Sequence, residues 1–293
     1  MRKDDKLWLR LVAVLAAALL ILAACGDDEG DGGDGGGPTA DFELVEEGVL
    51  TVGSDIPYPP FEMEEEGDLT GFDVEVVRAV ADELGLENPD DAWLSVSFDT
   101  IFQQLATGTK FDVVAGAVTA YAPEGSEAAQ VVADRRRLVD FTQSYYPSLQ
   151  SLTVNVEESS DIQSVDDVPD GARVAVQRAT TGAFYADENF GDTWELVQFA
   201  QAPPMYQQLL AGQVDAVFND LPVSLDAIKG EASLEVVEQI DTGEEYGLAV
   251  SKDNPELLEA IDEALDTIYQ NGTYAEIFKK YFPEQELPEF ASE

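Results

Sequence analysis

No histidine occurs in the 293 residues, and cysteine occurs once, at Cys25. The usual general base, the usual metal ligand and the neutral-pH switch are therefore missing. Cys/His zinc sites and Ser-His or Cys-His nucleophile pairs are excluded with them. The groups left for chemistry are 60 carboxylates and 15 cations. Three of the cations run together as Arg135-Arg136-Arg137. Carboxylates can do acid–base work, and a guanidinium beside carboxylates can hold a charged small molecule without reacting with it. A run of arginines is also compatible with a solvated basic patch.

Cys25 sits in a different context. Arg2, Lys3, Lys6 and Arg10 precede an apolar run from Leu11 to Ala24, which ends in Leu22-Ala23-Ala24-Cys25. A charged start, an apolar core and small residues before a cleavage point read as a secretory signal. The tetrapeptide resembles a bacterial lipobox, in which the cysteine thiol receives a diacylglycerol and becomes the new N-terminus. The alternative is a buried thiol or an uncleaved anchor. Gly26 to Gly37 holds only Gly, Asp and Glu. Such a segment has no apolar surface to bury and reads as a flexible, self-repelling tether. It shows no fixed metal-ligand spacing. The expected division is a signal over 1–24, a linker over 25–40 and a globule from residue 41.

The globule of about 250 residues is one large domain or two smaller ones. No second apolar run is long enough to span a bilayer. With its single cysteine assigned to the lipid, the fold has no disulfide and rests on packing. The formal net charge is −45; loss of the signal, with four cations against Asp4 and Asp5, takes it to about −47. Nucleic acid and anionic membranes would be repelled. High net charge favours solubility at a cost in self-repulsion, a lever halophiles use, so a salt-tolerant source is one expectation. An acidic surface without that meaning is the other.

Elements that position the candidate groups can be read from periodicity. Gly48 to Gly53 reads as a buried strand, and the prolines at 57, 59 and 60 block helix after it. Gly67 to Gly71 is a turn or hairpin. Val76, Val77, Val80, Ala81 and Leu84 form a helical face ended by Gly85. Trp93–Ser97 and Phe111–Val114 read as strands, with a helix over Phe98–Ala106 between them. The rhythm returns with a strand at Arg173–Val176, a helix from about Thr180, a helix at Met205–Ala211 and a strand at Val214–Phe218. Leu257, Leu258, Ile261, Ala264, Leu265 and Ile268 give one apolar face over Pro255–Gln270, closed by Asn271-Gly272. A shorter helix covers Tyr274–Tyr281. Alternation of strands and helices argues for parallel-type α/β sheets in two sets, split near residue 147.

Seven segments carry a family resemblance. They are Gly48-Val49-Leu50-Thr51-Val52-Gly53, Tyr58-Pro59-Pro60-Phe61, Leu69-Thr70-Gly71-Phe72-Asp73-Val74, and Phe111-Asp112-Val113-Val114. Val139-Asp140-Phe141-Thr142 before Tyr145-Tyr146, Ala211 to Val217, and Asn271-Gly272-Thr273-Tyr274 complete the set. In this order and spacing, Asp41–Pro283 resembles the extracellular solute-binding proteins of the polar amino-acid uptake type, which serve ABC importers. The resemblance implies a two-lobed, periplasmic-binding-protein-like α/β fold. Lobe one would span 41–147 plus 248–293 and lobe two 148–247, joined by two hinge strands near Pro147–Val154 and Thr242–Ala249. It further implies a free, polar amino acid bound in the cleft by hinge closure, ABC permease subunits as partners, no cofactor, a monomer, and an extracytoplasmic place on the membrane.

The same resemblance implies site residues. An amino acid is a zwitterion, and each charge needs a partner in an enclosed site. Arg135, counted back from Asp140, would take the carboxylate, with Arg136 and Arg137 as neighbouring registers. About ten extra residues, Tyr121 to Ala133, stand where relatives have a tight Thr-x-x-Arg turn. Thr180 and Thr181 would start a helix whose N–H groups also meet the carboxylate. Asp220, Thr119 and the Ala117 carbonyl would meet the ammonium. Tyr58 and Phe98 would enclose the side chain, and Asp55 lies at the rim. Arg178, next to Gln177, favours an acidic or amide ligand, whereas Asp55 favours a basic one. Rival readings are an enzyme on the same fold (dehydratase-like), a ligand sensor for a membrane receptor, and an acidic surface lipoprotein with no small ligand.

Overall fold

The computed structural model describes residues 42–292. Cys25, the signal and the linker lie outside the described residues. No helix among these is long and apolar enough to cross a membrane.

The chain runs β1 (Val52–Ser54), β2 (Met63–Glu65), β3 (Asp68–Thr70), α1 (Phe72–Leu84), β4 (Trp93–Ser95), α2 (Ile101–Leu105), β5 (Val113–Val114), β6 (Thr119–Tyr121), α3 (Glu127–Arg135) and β7 (Val139–Phe141). It continues as β8 (Tyr146–Asn155), β9 (Arg173–Gln177), α4 (Thr181–Phe190), β10 (Glu195–Phe199), α5 (Pro203–Leu210), β11 (Ala216–Asp220), α6 (Leu221–Ala227) and β12 (Leu234–Tyr246). β13 (Ala249–Ser251), α7 (Pro255–Gln270) and α8 (Thr273–Tyr281) close the fold.

Two sheets organise two lobes. The first has the order β4-β1-β5-β13-β7 and the second β10-β9-β11-β8-β12-β6. The expected parallel pairing holds for β1 with β4 and β5, and for β9 with β10 and β11. β13 and β8 instead pair antiparallel with their neighbours. These strands arrive from the hinge and not from a βαβ crossover, so they enter from the opposite end. β8 and β12 pair with each other from Tyr146↔Tyr246 to Asn155↔Leu234 and form the double connection between lobes. β6 pairs with the hinge end of β12 through Thr119↔Tyr246.

Local sequence explains the principal stops. Gly85 caps α1 in the left-handed conformation at φ 70°, where a Cβ is costly. Pro255 at the first turn of α7 has no N–H to leave unpaired. Buried aromatics knit α1, the end of α8 and the start of β8: Phe72 packs edge-on and Tyr146 tilted against Phe282, at centroid distances of 5.1 and 4.9 Å. This cluster fixes the hinge strands to the first lobe, so the cleft lies directly beside rigid packing.

Candidate functional site

Nine side chains or turns expected from the sequence surround one cavity between the sheets. Asp55, Tyr58, Phe98, Ala117, Thr119, Arg135, Thr180, Thr181 and Asp220 line it, together with Gly116 and Gln177. Its volume is about 20 Å³, room for about one water molecule, so a larger ligand enters only as the cleft opens.

Arg135 ends α3, the helix built from the extra segment. Ser126 caps that helix by accepting from the Ala129 N–H at 3.3 Å. The helix turns Arg135 inward, where it is 5% exposed. Its Nη1 donates to the Thr119 carbonyl at 2.9 Å and Nη2 to the Ala179 carbonyl at 3.4 Å. Its Cζ stands 5.3 Å from the Phe98 ring centre and 5.1 Å from that of Phe102. The remaining N–H donors of the fork are free for a ligand. Burial pulls the guanidinium down to about 10, against the opposing fields of Glu244 and Asp220, and it stays a cation at neutral pH. Arg136 leaves the cavity to donate to the Ala120 carbonyl and lies over Tyr121. Arg137 pairs with Asp134 at the surface.

Asp220 ends β11. Its Oδ2 accepts from the hydroxyls of Tyr58 at 2.7 Å and Tyr246 at 2.8 Å, and its Oδ1 from Gln150 Nε2 at 2.7 Å. Desolvation, then the nearby Glu244 charge, pushes its carboxyl up to about 6. Glu244, 2% exposed, accepts from Thr119 Oγ1 at 2.7 Å, Thr242 Oγ1 at 2.7 Å and Gln150 at 3.4 Å. Thr119 therefore spends its proton on Glu244 and keeps lone pairs toward the cavity. Thr181 then donates in their 3.2 Å contact.

Glu244, Gln150 and Tyr246 escaped the sequence reading. The available signal was strand alternation, which puts Glu244 on the face of β12 that buries Tyr246. Thr180 caps α4, accepting from the Ala183 N–H at 3.1 Å, and Thr181 opens its first turn. Asp55 accepts from Gln177 at 3.1 Å and from Gln201 at 3.2 Å, both from the opposite lobe. Burial raises its carboxyl. Arg178 does not line the cavity; its Nε meets Asp99 Oδ2 at 2.8 Å across the cleft mouth. Ala117 (φ 49°) and Ala179 (φ 65°) hold non-glycine left-handed conformations at the rim, strain of the kind kept at binding sites.

Two α/β lobes on paired hinge strands, closed over a polar cavity drawn from both, define a solute-binding protein. The chain belongs to the bacterial extracellular solute-binding proteins, family 3, whose model matches residues 50–284. It is 30% identical over 281 residues to the L-cystine-binding protein TcyA of Bacillus subtilis, covering 94% of this chain and 97% of that one. The structure of an ancestral arginine-binding protein bound to arginine superposes with a TM-score of 0.71 at 33% identity, over 80% of this chain and 98% of that one. That of the ancestral amino acid-binding protein AncCDT-1, a precursor of cyclohexadienyl dehydratase, gives 0.67 at 30% identity, over 80% and 95%.

Proposed function

We propose that the cleft binds a free amino acid with a cationic side chain and delivers it to an ABC permease. One observation carries this reading: the carboxylates of Asp55 and Asp220 line a cavity with a single buried guanidinium, Arg135, and the buried Glu244 carboxylate stands directly behind Thr119. A zwitterion's carboxylate meets Arg135 and the α4 N-terminus, and its ammonium meets Asp220, Thr119 and the Ala117 carbonyl. Tyr58 and Phe98 enclose the aliphatic stem. Asp55 and Glu244 still lack an opposite charge, and a second cation on the ligand supplies one. Arg178 gives no counterargument, because Asp99 already holds it.

Binding, not catalysis, is the assigned role, since the cavity's charged groups match a ligand's fixed charges. Lobe one is assigned to 41–147 plus 248–293 and lobe two to 148–247. Cys25 is assigned as the lipidated N-terminus, the acidic linker as the tether, and the mature chain as a monomer at the outer membrane face. The acidic surface is assigned to salt adaptation.

Calorimetry of the mature domain against the twenty amino acids and ornithine tests the ligand. Arginine, lysine or ornithine is expected to bind at least about tenfold tighter than glutamine or glutamate, one ion-pair's worth of discrimination. A neutral or acidic amino acid binding tightest would overturn the charge argument. Silence from the whole panel would overturn the amino-acid reading.

A further inference from the structure

Behind the cavity lies a second pair of acids that the ligand does not reach. Asp73, in the first turn of α1, is fully buried. Its Oδ2 accepts from the Gly116 N–H at 3.0 Å, the Ala117 N–H at 2.9 Å and the Tyr145 hydroxyl at 2.7 Å. Its Oδ1 has no donor. Glu62 is also fully buried, and neither of its oxygens has a donor. The backbone brings the two together: the Phe72 N–H bonds the Pro60 carbonyl at 2.9 Å and the Asp73 N–H bonds the Phe61 carbonyl at 3.1 Å. The Glu62 carboxyl lies against that of Asp73. The other titratable groups bearing on them are Asp55, Tyr145, Tyr146 and Tyr274. Among the described residues no lysine or arginine pairs with either acid.

Two adjacent buried anions without a cation are far too costly to persist. One proton removes the conflict and pairs two of the three donorless oxygens, Asp73 Oδ1 and one oxygen of Glu62. Glu62 is the member that takes it, because Asp73 already receives three hydrogen bonds that favour its anion. Desolvation raises Glu62 well above the carboxylate range, and the Asp73 charge raises it further.

We propose that Glu62 is a positioning residue of the binding site that works as a carboxylic acid, donating its proton to Oδ1 of Asp73 so that Asp73 stays an anion and its Oδ2 holds the Gly116–Ala117 turn. The inference rests on the cavity being the ligand site, because Gly116 and Ala117 line it. Ala117 sits at φ 49°, and its N–H bond to Asp73 is what retains that strained turn.

The test is infrared spectroscopy of the mature protein in heavy water near pH 8, where ordinary carboxyls and Asp220 are ionised. The wild type is expected to show the carbonyl band of one protonated carboxyl, and Glu62→Gln to lack it. The glutamine amide still donates to Asp73, so arginine affinity and the amide resonances of Gly116 and Ala117 should be kept in that variant. Glu62→Leu leaves Oδ1 unpaired; it should shift both resonances and weaken arginine at least about fivefold. No carboxyl band in the wild type, or an undiminished band in Glu62→Gln, overturns the proposal. If Glu62→Gln does not fold, the carboxyl carbon shift of labelled glutamate in the wild type decides the same point. The infrared and resonance readouts need no ligand, so a failure of arginine to bind leaves them able to judge the acid pair separately.

Discussion

Asp220 gives the site its pH behaviour. Its carboxyl is raised to about 6, first by desolvation and next by Glu244, while Tyr58, Tyr246 and Gln150 oppose the shift. An unfolded aspartate titrates near 3.9, so the ligand-free fold holds this proton more tightly across about pH 4 to 6. The stability tied to that proton is complete below pH ~4 and is lost as pH rises through ~6, at most about 3 kcal/mol. On the proposed reading, in which Asp220 meets the ligand's ammonium, binding has the opposite dependence, because an ammonium needs the anion. Affinity for arginine is expected to fall about fivefold between pH 6 and pH 5, approaching tenfold per unit below that. Asp220→Asn should bind at least about thirtyfold more weakly at neutral pH and lose this pH slope. A wild-type slope preserved in the variant would assign the titration to another group. Arg135 was reachable by counting from Asp140, but its register was not, because only the course of α3 decides which of three arginines turns inward. Glu244 was hidden among 60 acids; its burial depends on a β12–β6 pairing between segments more than a hundred residues apart.

Elements with a strong period were the most legible. The apolar face over Pro255–Gln270 coincides with α7 at both ends, and Gly85 ends α1 as expected. Strands of the first sheet are shorter than the apolar runs suggest: β1 begins at Val52, and β5 holds only Val113 and Val114. Their flanks are buried by packing and not by ladder pairing, a distinction absent from hydrophobicity. The helix α3 was missed as an element, although Ala128, Val132 and Arg135 repeat at helical spacing behind the Ser126 cap. β12 changes register between Val236 and Glu238 and again between Ile240 and Glu244, which breaks the period-two signal before Glu244. The start of α1 has a sharper requirement. Gly71 stands at φ 138°, and a Cβ there would meet the Phe61 carbonyl oxygen at 2.0 Å. That junction holds Tyr58 and Glu62 on one side and Asp73 on the other. Gly71→Ala is expected to cost at least about 2 kcal/mol, roughly 4–8 °C in unfolding midpoint for a chain of this size. A midpoint within a degree of wild type would show that the junction yields easily.

Across the whole molecule, charge sets a competition between closure and self-repulsion. The two-lobed plan was legible because seven ordered segments specify it, whereas the closed geometry was not, because the bonds across the cleft join residues distant in sequence. Asp99–Arg178, Asp55 with Gln177 and Gln201, and Tyr58 with Asp220 make those bonds. Among the described residues there are six ion pairs, each with at least one side chain a third or more exposed. Pairs of this kind contribute about 0–1 kcal/mol each. They are few against a formal charge of −45. Salt shortens the reach of charge from ~10 Å at 0.1 M to ~3 Å at 1 M, weakening both the pairs and the repulsion. The repulsion involves many more charges, so its relief wins. The unfolding midpoint of the mature domain is therefore expected to rise from 0.1 M to 1 M sodium chloride, by several degrees. Arg178→Ala should rise further, because it no longer has a cross-cleft ion pair for salt to weaken. A flat or falling wild-type midpoint would remove salt adaptation from the account and leave the acidic surface as a solubility device alone.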